Sequence, residues 1–175
     1  MKKFELDLST ETEFFGRKFF RIKALTTFNN VEKGDLGGFI EKEENLSQES
    51  NAWVWGNAKV GGNAEVSGDA RVSGDARVCG DAEVSGNAEV SGDAEVWGDA
   101  DLVWFSNIGS EYGTLTVFKS KNEGEILVTR GCFLGTVEQF LEKSKKVHDD
   151  KTRIEYELLI KVAQSRLGVI DITNS

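Results

Sequence analysis

Apolar residues recur at a fixed interval of six along the middle of the chain. Residues 51–98 contain eight consecutive units of the form Asn/Asp-Ala-x-Val-x-Gly, and a ninth unit, 99–102, keeps the spacing but lacks the glycine. Within a unit the alanine and valine lie two residues apart, so an extended chain points both to one side. Glycine tolerates positive φ, and Asn or Asp bonds its own backbone, so each unit should end in a corner. The pattern predicts short strands joined by corners in a coiled solenoid.

The order Val-x-Gly-Asp/Asn-Ala-x resembles the hexapeptide repeat of left-handed parallel β-helices. In that family three units form one triangular coil, so the resemblance implies a short left-handed solenoid of about three coils. Residues eighteen apart in the sequence would then stack at the strand spacing. The expected inner columns are Val54, Val72 and Val90; Val60, Val78 and Val96; and Val66, Val84 and Leu102.

A second resemblance extends over nearly the whole chain. It is carried by residues 34–41 and 45–47, by the repeats, and by residues 131–136 with Glu138 and Phe140. These segments look like those of a group of phage and prophage proteins, mostly of unknown function and often labelled transferases. The resemblance implies a phage-borne protein with one β-helix at its centre.

The N-terminal segment has the alternation of a strand pair. Residues 4–8 alternate apolar and acidic side chains, and residues 20–24 alternate apolar and basic ones. Opposite charges on facing strands are favourable, so we predict an antiparallel pair connected by residues 9–16. A short solenoid exposes apolar core and unpaired strand edges at each end, so this pair is expected to cap one end. Leu36, Phe39, Ile40 and Leu46 should form an irregular starting turn.

The C-terminal segment predicts a hairpin followed by two helices. Residues 114–120 and 125–130 flank a loop with glycine at the turn, which is typical of a β-hairpin. Thr136 and Gln139 form a capping-box pattern that predicts a helix to about Val147. We expect hairpin and helices to close the other end of the solenoid, which divides the chain into domains 1–50, 51–104 and 105–175.

The second helix is predicted from a similar pattern. Thr152 and Glu155 indicate its start, and Gly168 marks its end. Ile154, Leu158 and Val162 recur at helical spacing, so this apolar stripe is expected to pack on the hairpin.

Charge is concentrated on the repeats. The chain has a net charge of −9, and residues 51–101 hold 3 basic and 10 acidic side chains. Such a surface should repel nucleic-acid backbones. No run of eighteen apolar residues predicts a membrane span, and the N-terminus meets charge too early for a secretory signal. With only Cys79 and Cys132, which do not make a disulfide framework, we expect a cytoplasmic protein.

The sequence offers little for catalysis. Acyltransferases with hexapeptide repeats activate the acceptor with a histidine, and general-base chemistry needs that group within hydrogen-bond reach. Here the only histidine is His148, beside Asp149 and Asp150, where a cation near a helix end explains it as well. Calcium at the Asn/Asp corners is a weaker alternative, since backbone bonding explains both residue types. We therefore expect no catalytic residue, metal or cofactor.

Function should lie on the outward positions. Glu65, Glu83 and Asp101 are expected to form one acidic column, while Glu89 and Glu95 end two mixed columns that start at Trp53 and Lys59. The acids are either a solvated surface or a face offered to a basic partner. Four tryptophans are outward or follow the last unit, and they are either covered by the caps or available to a partner: Trp53, Trp55, Trp97 and Trp104.

The leading hypothesis is a non-catalytic protein-binding module with a rigid acidic surface. The phage resemblance suggests an inhibitor of a host antiviral defence, for example of CRISPR type, that blocks a basic or protein-binding surface of a host protein. The alternatives are a divergent acyltransferase and a nucleotide or small-molecule sponge at a subunit interface. We expect no direct nucleic-acid binding and no membrane contact. Related β-helices suggest a homo-oligomer, either a dimer or a trimer.

Overall fold

The computed structural model describes residues 2–169, and its chain begins with a long hairpin. β1 (Phe4–Phe14) pairs antiparallel with β2 (Arg17–Ala24), which pairs antiparallel with β3 (Leu36–Ile40). The predicted strand pair is confirmed, but the predicted connection over 9–16 is wrong, because β1 continues to Phe14. The turn is Phe15 and Gly16 alone, with φ of 49° and 71°, as a two-residue hairpin turn requires.

The repeats form eight two-residue strands that stack in parallel, and the solenoid is confirmed. The strands are β4 (Trp53–Val54), β5 (Lys59–Val60), β6 (Glu65–Val66), β7 (Arg71–Val72), β8 (Arg77–Val78), β9 (Glu83–Val84), β10 (Glu89–Val90) and β11 (Glu95–Val96). The first wall is β4, β7 and β10, with Val54, Val72 and Val90 in register. Its alanines and valines are almost fully buried, as the pattern of the repeat requires.

The second wall extends further than the repeats do. It consists of β3, β5, β8 and β11, so Ile40 lies in register with Val60. A short 3₁₀ turn follows at Glu43–Asn45, and Leu46 then bridges Val66 of the third wall, which is β6 and β9. The starting turn predicted as irregular is therefore part of the ladder, although its sequence lacks the repeat.

The third inner column ends one residue short of the prediction. Leu102 is buried, but it begins a strand that pairs antiparallel with the C-terminal sheet instead of stacking in register on Val84. The cause is local: residues Asp99–Asp101 form a 3₁₀ turn, and the carboxylate of Asp99, not a backbone carbonyl, accepts from the backbone N–H of Glu83 at 3.2 Å. The parallel ladder therefore stops after Val96, at the turn that opens the ninth unit.

A four-stranded antiparallel sheet closes this end. It contains β12 (Leu102–Ile108), β13 (Gly113–Lys119), β14 (Ile126–Arg130) and β15 (Phe133–Thr136). The predicted hairpin is β13 and β14, and the two flanking strands were not predicted. Thr116 and Thr129 bond the backbone of Glu89 in the last coil, while Phe118 is fully buried in the solenoid core. The opposite end is closed by Phe4, Ile22 and Val31.

Two helices cover the other face of that sheet. α1 (Val137–Val147) begins with the predicted capping box of Thr136 and Gln139. α2 (Asp150–Arg166) begins earlier than predicted, because the side chain of Asp149 caps it by accepting from the backbone N–H of Thr152 at 2.8 Å. The helices and the sheet share a second core with Leu115, Val117 and Val128. Residues 102–169 are called the C-terminal unit below.

The predicted packing face of α2 is wrong. Ile154, Leu158 and Val162 are 50%, 58% and 46% exposed. The buried face is instead formed by Tyr156, Ile160 and their helical neighbours Thr152, Ala163 and Leu167. This helix has two stripes of residues at helical spacing. The stripe that contains Tyr156 and Ala163 packs closely against the sheet, and the aliphatic stripe faces outward.

Candidate functional site

Outward side chains of the repeats stack in the predicted columns. Glu65 lies in register with Glu83, Arg71 lies between Trp53 and Glu89, and Arg77 lies between Lys59 and Glu95. Glu65 and Glu83 are both exposed, and within residues 2–169 neither forms an ion pair. Two carboxylates about 5 Å apart repel by about 0.8 kcal/mol in water, so this pair is a modest local strain.

Of the other three acids, two form ion pairs and the third is partly buried. Glu95 forms an ion pair of 2.5 Å with Arg77. Asp101 lies outside the parallel ladder, forms an ion pair of 2.6 Å with Lys119 and accepts from the backbone N–H of Trp97. Burial beneath the C-terminal sheet raises the pKa of Glu89. The predicted acidic column therefore contains only Glu65 and Glu83, because Asp101 does not stack on them.

Three of the four tryptophans are covered at least in part by the chain itself. Trp53 is 1% exposed, and its ring lies 6.2 Å from Phe4 and 5.4 Å from Phe28. Trp55 and Trp104 are half-buried against the solenoid core. The N-terminal segment therefore covers Trp53, and this side chain is not available to a partner.

Trp97 is different because it stands at the edge of the solenoid, 46% exposed. Its neighbour is Phe15 at the tip of the N-terminal hairpin, with ring centroids 6.4 Å apart. Phe15 is 73% exposed, and it also packs on Phe14 at 4.3 Å. A bulky residue with positive φ is uncommon, since Asn, Asp or Gly fits that turn position with less strain. The tip therefore keeps a large exposed ring at an unfavourable backbone position.

A bulge in β1 brings the hairpin tip over the second wall. The register shifts between Asp7 and Thr12, and the hydroxyl of Thr10 accepts from the backbone N–H of Arg21 at 2.9 Å within the bulge. A bulge bends its strand, so the outer half of the hairpin lies across the wall that its inner half extends. Phe19 then packs directly on Gly61, where an added Cβ would fall 2.7 Å from the ring. This contact explains why that repeat unit alone ends in Gly-Gly.

A cleft of about 700 Å³ lies between the tip and the corner of the solenoid. Its aromatic side is formed by Phe14, Phe15, Phe19 and Trp97, and its polar side contains Arg17, Glu41, Lys42, Asn63 and Asp81. The volume is in the range of ligand and anchor pockets. Asp81 precedes Glu83 by two residues, so the cleft and the Glu65–Glu83 pair share one edge of the solenoid. We call this surface the aromatic–acidic edge.

The polar side of the cleft is partly committed to internal bonds. The carboxylate of Glu41 accepts from the backbone N–H of Gly62 at 2.6 Å and pairs with Arg17 at 3.1 Å. Asp81 accepts from the side-chain amide of Asn63 at 3.0 Å. Cys79 lies buried at the floor, and burial raises the pKa of its thiol. A thiol held protonated is a poor nucleophile, so the cleft is suited to binding rather than covalent chemistry.

The sequence predicted Trp97 and missed its neighbour. Phe15 and Arg17 lie far from the repeats in sequence, and only folding of the hairpin over the wall brings them to Trp97 and to Glu41, which follows β3. One signal was available: Phe15 and Gly16 separate two alternating segments, as hairpin turns do. The predicted strand pair placed its connection too broadly for that signal to be used.

His148 lies in the C-terminal unit, not at the coils. Its ring is 5.4 Å from that of Tyr156 at the end of α1. Within residues 2–169, no three or more His, Cys, Asp or Glu side chains are grouped so that they could hold a metal ion. None of the helices in the same residues is both long and apolar enough to cross a membrane.

Comparison with known proteins gives no family for this chain. No protein-family model matches the sequence, and no curated protein matches it.

Proposed function

We propose that this protein is a non-catalytic binding module that docks a basic segment of a partner protein on the aromatic–acidic edge. The observation that carries the proposal is the pair of exposed rings of Phe15 and Trp97 at a cleft that Asp81 also lines, two residues before the exposed Glu83 and its stacked partner Glu65. An arginine or lysine side chain can stack on the rings while the carboxylates attract its charge. Exposed tryptophan and aromatic anchors carry most of the binding energy in protein interfaces.

The rigid frame supports this role. The hairpin tip is fixed by the ion pair of Arg17 and Glu41 and by the contact of Phe19 with Gly61. Little ordering is therefore needed on binding, which lowers the entropic cost of association. The acidic repeats also speed the approach of a basic partner and slow that of nucleic acid.

The identity of the partner follows from the resemblance to phage and prophage proteins. In this proposal the protein acts in the cytoplasm of an infected bacterium, and its left-handed β-helix presents the edge to a host defence protein with a basic surface. A CRISPR-type effector is one such protein. A dimer or trimer would present two or three edges at once and raise the apparent affinity.

The test compares charge and aromatic variants in a pull-down from host lysate. Wild-type protein should retain a partner at low salt and release it as salt rises, because screening weakens surface charge pairs. Glu65→Lys with Glu83→Lys should lose the partner, and Trp97→Ala should weaken its retention by tenfold or more. Glu123→Lys is the control, since Glu123 is an exposed acid on the loop between β13 and β14.

Two results would refute the proposal. One is a partner whose retention is independent of salt and unchanged in the Glu65 and Glu83 double variant. The other is equal loss in the Glu123 control, which would mean that net charge alone, and not the edge, attracts the partner.

A further inference from the structure

A second cleft lies in the C-terminal unit, away from the aromatic–acidic edge. It has a volume of about 440 Å³ and lies between the end of α1, the turn from β14 to β15, and the connection from β12 to β13. Phe133, Phe140 and Tyr156 form its apolar side. Arg130, Lys143, Ser144 and His148 form its polar side. The proposed function above makes no use of this cleft.

Two polar groups in the cleft are buried without a partner. Ser144 is 2% exposed, and within residues 2–169 its hydroxyl has no hydrogen-bond partner. The same holds for Nε of Arg130, whose guanidinium makes one long bond of 3.5 Å, from Nη2 to the backbone carbonyl of Ile108. Each unsatisfied buried group costs about 1–3 kcal/mol, so native proteins keep few of them. A guanidinium can only donate, so a ligand that satisfies it must carry acceptors.

The charge of the cleft indicates the same kind of ligand. Arg130, Lys143 and His148 line it, against one acid, Glu111. Within the described part of the chain Arg130 and Lys143 form no ion pair, and Lys143 lies over the ring of Phe133 at 5.2 Å. In a chain of net charge −9 this local excess of basic side chains is opposite in sign to the rest of the surface.

The guanidinium of Arg130 packs closely on Gly113, which borders a neighbouring pocket that Arg130 also lines. An added Cβ at Gly113 would fall 2.3 Å from Nη1. Any other residue at position 113 would move the guanidinium. A planar fork held in this way suits the two oxygens of a carboxylate or phosphate.

We propose that this cleft binds a small organic oxyanion, with the charged oxygens on Arg130 and Ser144 and an apolar body against Phe133, Phe140 and Tyr156. The shared chemistry is an oxyanion on a flat or aliphatic group. A phosphate ester and a carboxylate both have it, and the experiment separates them.

The test measures binding of phenyl phosphate, benzoate, inorganic phosphate and neutral benzyl alcohol to the full chain by calorimetry. Phenyl phosphate or benzoate should bind saturably, and the tighter of the two gives the class of the natural ligand. Inorganic phosphate and benzyl alcohol should each bind at least tenfold more weakly, because each makes only half of the contacts.

Three variants test the assigned contacts. Arg130→Met and Gly113→Ala should each reduce the affinity by tenfold or more, the second without removing the charge. Ser144→Ala should reduce the affinity and at the same time raise the melting temperature of the free protein, because it removes a buried unsatisfied hydroxyl. A purely structural serine would lower the melting temperature instead. Lys161→Met, on the exposed side of α2, is the charge-matched control and should leave the affinity unchanged.

Alkylation provides a second readout. Cys132 is exposed and lines the cleft, whereas Cys79 is buried elsewhere. The bound probe should protect Cys132 from iodoacetamide and leave the slow reaction of Cys79 unaltered. Absence of saturable binding by both phenyl phosphate and benzoate would overturn the proposal. So would equal losses in Arg130→Met and Lys161→Met, or benzyl alcohol binding as tightly as the anions.

Discussion

The solenoid and the C-terminal unit bury their apolar residues in opposite ways. The solenoid packs small alanines and valines, and each coil bonds the next through regular backbone contacts such as Trp55 N–H to Val72 C=O at 2.8 Å. The C-terminal unit packs large rings, with Phe140 and Tyr156 meeting edge-on at 5.1 Å. Within residues 2–169 the solenoid core has one buried polar atom without a hydrogen-bond partner, Nε1 of Trp53 under the N-terminal hairpin, whereas the C-terminal unit has two, on residues that line a cleft. Regular stacking stabilises the solenoid, and irregular packing leaves room for the ligand proposed above.

The largest expected effect comes from a comparison of substitutions on the two faces of α2. Ile160→Ala should lower the free energy of unfolding by about 4 kcal/mol, because Ile160 is 1% exposed and its loss leaves a cavity. Leu158→Ala, two residues away, should change it by less than about 0.5 kcal/mol, since Leu158 is 58% exposed. Denaturant unfolding monitored by circular dichroism measures both.

The same pair of variants tests whether the two cores unfold together. If the C-terminal unit unfolds separately from the solenoid, Ile160→Ala should move only one of two transitions. Similar losses in both variants would contradict the packing of α2. They would also indicate that another copy of the chain covers Leu158, which size-exclusion chromatography with light scattering would detect.

The second prediction concerns the corners of the solenoid. Gly80 has φ of 64°, and an added Cβ would fall 2.1 Å from the backbone oxygen of Trp97. Gly80→Ala should therefore cost about 3 kcal/mol, from left-handed backbone strain and a clash that backbone cannot relieve cheaply. Gly98 occupies the same corner one coil later, but its φ is −172° and nothing lies within 4 Å of an added Cβ.

Gly98→Ala is accordingly the matched control, with an expected change under about 0.5 kcal/mol. Thermal melts of the two variants give the comparison directly. Equal destabilisation would mean that the corner at Gly98 has the geometry of the other corners, which would contradict the end of the parallel ladder at Val96.

How much of this could be read from the sequence differs between the two regions. In the solenoid, the period and the residue types predict the strands, corners and columns, because each unit repeats the same short strand and the same glycine corner. The one column that failed, at Leu102, failed where Asp99–Asp101 form a 3₁₀ turn, although Gly98 precedes it as in the other units. In the C-terminal unit the capping box predicted α1 correctly, yet Ile154, Leu158 and Val162 gave the wrong face of α2. Periodicity identified an amphipathic helix but could not rank two stripes that only the sheet distinguishes.

The candidate sites were less predictable for a related reason. Trp97 was identified because its position in the repeat fixes its direction. Phe15 and Arg17 reach it through a bulge in β1, and Arg130 and Ser144 line one cleft only when α1 packs against β14. Contacts between residues distant in sequence carry no periodic signal.

The third prediction concerns the pH dependence of stability at the N-terminal end of the solenoid, where Lys3 is buried. Lys3 is 6% exposed and donates to the backbone carbonyls of Ser50 and Ala52 at 2.9 and 2.8 Å. Burial lowers its pKa from 10.5 to about 8. Between these pH values the unfolded chain holds the proton that the folded chain has lost, so the free energy of unfolding should rise with pH across this window.

The expected gain is on the order of 2 kcal/mol relative to Lys3→Met, with a flat difference below pH 8, where both states are protonated. Urea unfolding of both proteins at a series of pH values measures it. A difference that is independent of pH, or that falls as pH rises, would show that the ammonium is not desolvated at this end of the solenoid.

The smallest effect tests why each of the first three corners has Asn where the next coil has Asp. The side-chain amide of Asn63 donates to Asp81 at 3.0 Å, and Asn51 donates to Asp69 at 2.8 Å in the same way. Asn63→Asp would replace the donor by a second carboxylate and should cost about 0.5–1 kcal/mol at low salt, less at high salt because the pair is exposed. Adding Asp81→Asn to that variant rebuilds the amide–carboxylate pair in reverse order and should restore stability. A double variant as weak as the single one would mean that each corner residue acts only on its own turn, and that the ladder between coils contributes nothing.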